Sequence, residues 1–182
     1  TPGPNNMMLL ASGVNFGLRR SVPHLLGISL GLMLMVCAMG FGLGQVLKLY
    51  PPLFNLLRYV GGAYLLYLSW RIATAAAPQV DGAADAKPFG LLQAAAFQWV
   101  NPKAWIMAVA AMSTYLPPDA GWLGTLQLAA VQTAVGPPCV LVWAGFGSAM
   151  REWLADPLRL RIFNIAMALM VGSFVTLSDG TS

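Results

Sequence analysis

Two short stretches set amides and a cation into otherwise apolar sequence. Gly3-Pro4-Asn5-Asn6 follows Thr1-Pro2, and Gln98 stands just before Asn101-Pro102-Lys103. Proline lacks a backbone N–H and leaves a carbonyl without its helical donor. Asn5, Asn6, Gln98 and Asn101 bring side-chain donors and acceptors to the same places, and Lys103 brings positive charge. A helix that starts at such a break offers N–H groups and partial positive charge to a carboxylate. Freed carbonyls and amide oxygens accept from an ammonium group. Gly3, Asn5, Asn6, Gln98, Asn101 and Lys103 are therefore candidate binding residues for a small zwitterion, with Pro2, Pro4 and Pro102 as the helix breaks. No acid is placed to meet a second positive charge, which disfavours a cationic ligand.

The remaining reactive residues do not assemble into an active site. Gly27-Ile28-Ser29-Leu30-Gly31 fits G-x-S-x-G, but that motif works at a strand-to-helix elbow, and here it lies in a continuous apolar run. His24 is on the same segment, badly placed to act as a base, and no carboxylate is available to orient it. It reads as an interfacial or capping histidine at the entrance to a span. One histidine and two separated cysteines cannot fill a metal site. Cys37 and Cys139 lie in apolar runs and read as buried packing residues. No phosphate-binding glycine loop occurs, so neither a cofactor nor ATP is expected. An intramembrane enzyme is a weak alternative. So is a non-transporting membrane assembly protein, which needs no paired polar breaks.

The elements that must position these residues are membrane helices. The 182 residues are 58% hydrophobic and 9% charged, with mean hydropathy +0.68. Too few polar side chains remain to coat a soluble domain. A membrane span takes ~20 apolar residues, so six spans use ~120. The apolar runs are Thr1 to Leu18, Leu25 to Leu47, Leu53 to Ala73, Phe89 to Leu116, Trp122 to Phe146 and Ile162 to Leu177. They are too continuous for alternating barrel strands. The net charge of +4 does not form a nucleic-acid face. Arg19 and Arg20, Arg71 and Lys87, and Arg151, Arg159 and Arg161 flank alternate joints, and Lys48 is the exception after the second run. The positive-inside rule places those joints in the cytoplasm and both termini outside.

The expected fold class is all-α, a polytopic membrane protein of six helices. Residues 75–88, rich in Ala and Pro, read as a cytoplasmic linker between a first trio (1–74) and a second (89–182). Three spans per set gives opposite orientations and permits an inverted-topology 3+3 repeat. The proline breaks fall in the first span of each trio, which is the sequence pattern of a transporter binding site. Gly136-Pro137-Pro138 interrupts the fifth span and is a hinge candidate, with Gln132 one turn earlier. Gly13 with Gly17, Gly27 with Gly31, and Gly40-Phe41-Gly42-Leu43-Gly44 suit close helix packing. Ser148 to Arg161 reads as an interfacial segment with Trp153, Leu154, Leu158 and Leu160 toward lipid.

The motifs also carry a resemblance. Thr1-Pro2-Gly3-Pro4-Asn5-Asn6 with Ser12-Gly13 and Gly17-Leu18-Arg19-Arg20, then Gly61-Gly62-Ala63-Tyr64-Leu65-Leu66-Tyr67-Leu68 with Trp70, then Gln98-Trp99-Val100-Asn101-Pro102-Lys103-Ala104-Trp105, resemble in order the blocks of the LysE/RhtB family of amino-acid exporters. The resemblance implies a multi-pass bacterial inner-membrane protein that exports small neutral amino acids such as homoserine, threonine, cysteine or leucine. It also implies proton-motive-force coupling and a homo-dimer. Family members carry an apolar stretch before the opening motif. The first helix is accordingly expected either to lack roughly 15–20 residues or to be a stub. Asp81, Asp85, Asp119, Glu152, Asp156 and Asp179 all lie in loops or at span edges, so proton coupling is implied by the resemblance and not by a buried acid.

Overall fold

The computed structural model describes residues 3–74, 88–117 and 119–179. Thr1, Pro2 and all but the last residue of the 75–88 linker lie outside the described residues. Those described are helical and contain no strand. The order is α1 (Pro4–Phe16), α2 (Leu18–Ala38), a π-helical turn (Met39–Leu43), α3 (Gly44–Leu49), α4 (Pro51–Ala73), α5 (Leu91–Val100), α6 (Pro102–Tyr115), α7 (Gly121–Ala149), a 3-10 turn (Trp153–Ala155) and α8 (Pro157–Asp179).

Proline does not break most of these helices; it starts them. Pro4, Pro51, Pro102 and Pro157 each open a helix, where the missing N–H costs no helical bond. Asp156 Oδ1 completes the last of these starts by accepting from the Leu158 and Arg159 amides at 2.9 and 3.0 Å. The joint between α1 and α2 is a single residue. Gly17 has φ +79°, a value that side chains resist, and its N–H reaches the Gly13 carbonyl at 2.9 Å. The Ser12 and Ser21 hydroxyls meet across this joint at 2.7 Å.

The second span therefore begins at Leu18 and not at Leu25. Arg19 and Arg20 sit exposed in its first turn, and Pro23 is accommodated inside the helix. Helix continuity here follows backbone geometry, not the polarity of the side chains. The expected interruption at Gly136-Pro137-Pro138 is also absent, since α7 runs helical through all three. The Gly40–Gly44 run divides its roles. A Cβ at Gly40 would strike Thr125, but Gly42 has φ +120° with open space around it and marks a kink.

Packing follows a simple scheme. α1 lies along α7, α5 along α2, α2 against α7, and α4 against α8. The first two contacts are closed by glycine. A Cβ at Gly13 would strike the Ala144 carbonyl, and one at Gly147 the Leu10 carbonyl. Gly27 faces the Leu91 carbonyl and Gly31 the Ala95 carbonyl in the same way. Small residues let backbones approach where no hydrophobic driving force separates lipid from protein. Large apolar side chains meanwhile point outward, among them Tyr59, Trp70, Leu92, Trp122, Val142 and Leu169. A soluble protein does not leave such a surface to water. Among the described residues, three helical stretches, Leu18–Val46, Gly121–Ala149 and Pro157–Phe174, are long and apolar enough to cross a membrane. The segment before α8 is only partly lipid-facing. Trp153 and Leu158 are exposed, but Leu154 and Leu160 are buried against Val14.

Candidate functional site: a cavity where two proline-started helices meet

The break between α5 and α6 shows how buried, irregular backbone is satisfied. Pro102 has no N–H, so the Gln98 carbonyl takes the Asn101 amide instead, at 3.2 Å. Asn101 caps α6, its Oδ1 accepting from the Lys103 amide at 3.2 Å. The Lys103 and Ala104 amides thus turn to Asn101 and leave the Trp99 and Val100 carbonyls without their helical donors, and the Trp105 indole Nε1 donates to the first of these at 2.9 Å. Gly61 of α4 comes so close to the Val100 carbonyl that a Cβ could not be placed there. Irregular backbone at membrane depth persists only where protein or water meets it. Here protein meets it on every side but one.

The open side is a cavity of about 890 Å³. Gly3, Pro4, Asn5 and Asn6 from the start of α1 line it, as do Asn101 and Lys103 from the start of α6. α2 and α7 supply the rest of the wall, and the apolar faces of α6 and α7 extend it. The two starts are neighbours: a Cβ at Gly3 would lie 2.7 Å from Lys103 Nζ. The Lys103 ammonium also stands 5.8 Å from the centre of the Phe174 ring, within cation–π range. The glycine at position 3 thus makes room for the lysine. Two helix N-termini and one cation converge on this end of the cavity, a setting for an anionic group.

Of the residues expected from sequence, the structure brings Gly3, Asn5, Asn6, Asn101 and Lys103 together at the cavity. Gln98 is different. It is fully buried, lies behind Asn5 and does not line the cavity. Pro4 and Pro102 are helix starts; Pro2 is outside the described residues. Gly136 lines the cavity, as does Gln132. Cys139 is exposed to the same space and is not a packing residue. His24 is also corrected: it is 1% exposed, both ring nitrogens lack a hydrogen-bond partner, and its ring sits 5.2 Å from that of Phe89.

Sequence reasoning missed Trp105 as the group that satisfies the broken backbone. The signal was present, since an indole N–H inside a span needs an acceptor and a proline break supplies a spare carbonyl. Gln127 was missed too, although a glutamine in an apolar run is a comparable mark.

The profile of the LysE type translocator family matches residues 1–177. The chain belongs to that family. This translocator is 34% identical to the cysteine/O-acetylserine efflux proteins of Salmonella choleraesuis (strain SC-B67), Salmonella typhimurium (strain LT2) and Escherichia coli (strain K12). Each alignment covers 94% of this chain and 86% of the relative. No solved structure matches it. The translocator is a membrane transport protein and not an enzyme. Its G-x-S-x-G stretch lies inside α2, where the Ser29 hydroxyl donates to the Leu25 carbonyl at 3.2 Å.

Proposed function

We propose that the translocator exports small, neutral amino acids across a bacterial inner membrane by alternating access, with the polar end of the cavity as the substrate site. One observation carries this reading: the Gly3-Pro4 and Asn101-Pro102 starts lie side by side at one end of a single cavity. The substrate carboxylate lies toward Lys103 and the first turns of α1 and α6. The ammonium is accepted by amide oxygens. The names of the relatives repeat cysteine and add O-acetylserine to the substrates worth testing. Both are zwitterions with short side chains.

Six spans arranged as two oppositely oriented trios account for the packing. A twofold exchange of first with fourth, second with fifth and third with sixth span maps the α1–α7 contact onto the α5–α2 contact. It leaves α2–α7 and α4–α8 each mapped onto itself. All four are the major contacts of the fold. The trios rock about the cavity, α7 flexes at Gly136-Pro137-Pro138, and the proton-motive force drives the cycle.

The test is efflux of preloaded, labelled cysteine, O-acetylserine, homoserine and threonine from proteoliposomes, with and without a pH gradient. Saturable efflux of at least one of them, accelerated by an inward proton gradient, is expected. Absence of flux for every one of these amino acids overturns the proposal. Gradient-independent flux removes the proton coupling from it.

A further inference from the structure

Gln98 holds an amide in a place where no substrate reaches it. Its side chain makes three hydrogen bonds, all within the protein. Nε2 donates to the Ala94 carbonyl at 2.9 Å and to Asn5 Oδ1 at 3.1 Å. Oε1 accepts from Asn5 Nδ2 at 2.8 Å. The order of these bonds is not arbitrary. A backbone carbonyl accepts and cannot donate, so Ala94 decides which end of the Gln98 amide is nitrogen. The nitrogen end then takes the Asn5 oxygen, and the oxygen end takes the Asn5 nitrogen. A backbone group in α5 thereby sets the orientation of a side chain on α1.

We propose that Gln98 is a positioning residue that fixes the polarity of the Asn5 amide at the cavity wall. A primary amide has two N–H donors and an oxygen with two lone pairs. One of each is engaged by Gln98, so Asn5 keeps one donor and one acceptor. Asn5 lines the cavity and Gln98 does not. A zwitterion needs a donor for its carboxylate and an acceptor for its ammonium. An oriented Asn5 presents the two in a set order, whereas an unheld amide turns over and presents both orders. The pair therefore selects for molecules carrying both charges in the correct sense. This inference rests on the cavity being the substrate site.

The experiment compares the parental chain with Asn5→Ala, Gln98→Leu and the double variant in proteoliposomes. It reads KM and maximal rate for O-acetylserine efflux. It also reads inhibition by two singly charged analogues of the substrate, the decarboxylated amine and the desamino acid. Gln98→Leu is expected to raise KM roughly tenfold, about the worth of one directed hydrogen bond. It is also expected to shrink the preference for the zwitterion over both analogues, with the maximal rate little changed. The double variant should be no worse than Asn5→Ala alone. Gln98→Met guards against a folding failure: it keeps the length and volume of the side chain in an apolar form but offers Asn5 neither a donor nor an oxygen acceptor, and it too should lose the preference. An impaired Asn5→Ala beside a Gln98→Leu of parental KM and preference overturns the positioning role and leaves the site reading intact. So does a Gln98→Leu that loses only rate and thermal stability, as a purely structural residue would. An Asn5→Ala of parental KM and preference overturns both.

Discussion

At the scale of single residues, the break at Asn101-Pro102 stands because three side-chain and backbone substitutes replace the lost helical bond. Trp105→Phe keeps the ring but removes the donor to the Trp99 carbonyl. It is expected to cost about 1–3 kcal/mol, the penalty of an unmet buried acceptor, measured by thermal unfolding in detergent. An unchanged melting temperature contradicts this account of the break. His24 is the opposite case. Two buried nitrogens without partners oppose folding, so His24→Leu should leave stability equal or raise it by about 1 kcal/mol. A markedly lower melting temperature would show that the ring holds something the hydrogen-bond pattern does not reveal. The amides and Lys103 were legible in sequence because polar groups in apolar runs are rare and costly. Which of them face the cavity was not. That depends on helix phase after each proline, and phase is set by contacts made between residues such as Asn5 and Gln98, far apart in the chain.

At the scale of elements, glycine decides how closely α1 and α7 cross. Gly147→Ala places a methyl group on the Leu10 carbonyl and is expected to destabilise by about 1–3 kcal/mol through overpacking. Gly136→Leu makes the contrasting prediction. An added Cβ there meets nothing within 4 Å, and the position borders the cavity. The variant should fold with undiminished stability and export at a small fraction of the parental rate. Parental export by Gly136→Leu would detach this part of α7 from the substrate path. The helices α4, α7 and α8 could be read from hydrophobic runs. The early start of α2 could not, because exposed Arg19 and Arg20 look like a joint although the backbone is already helical. The helical path of α7 through Pro137-Pro138 was hidden for a related reason. Proline removes a donor, but a long membrane helix held on both sides by packing need not separate there.

At the scale of the whole molecule, outward Trp, Leu and Val side chains require a lipid surround, and the positive-inside rule gives the proposed orientation, with the joint around Glu152 in the cytoplasm. Glu152→Cys, in a chain otherwise free of cysteine, should resist a membrane-impermeant maleimide applied to intact cells and react once they are permeabilised. Ready labelling of intact cells would invert the proposed orientation. Composition alone made the membrane setting legible. The meeting of the two breaks was legible only as an expectation, since two matching motifs in two trios say nothing of distance until the trios are packed.

The central claim is that substrate occupies the end of the cavity where α1 and α6 start. Cys139 opens onto that cavity, which gives a direct reporter in a Cys37→Ser background. The rate of maleimide modification at Cys139 should fall as O-acetylserine is added. Asn101→Ala and Lys103→Met should abolish that protection without changing the rate in its absence. A modification rate indifferent to O-acetylserine and to each of the other exported amino acids would contradict the claim.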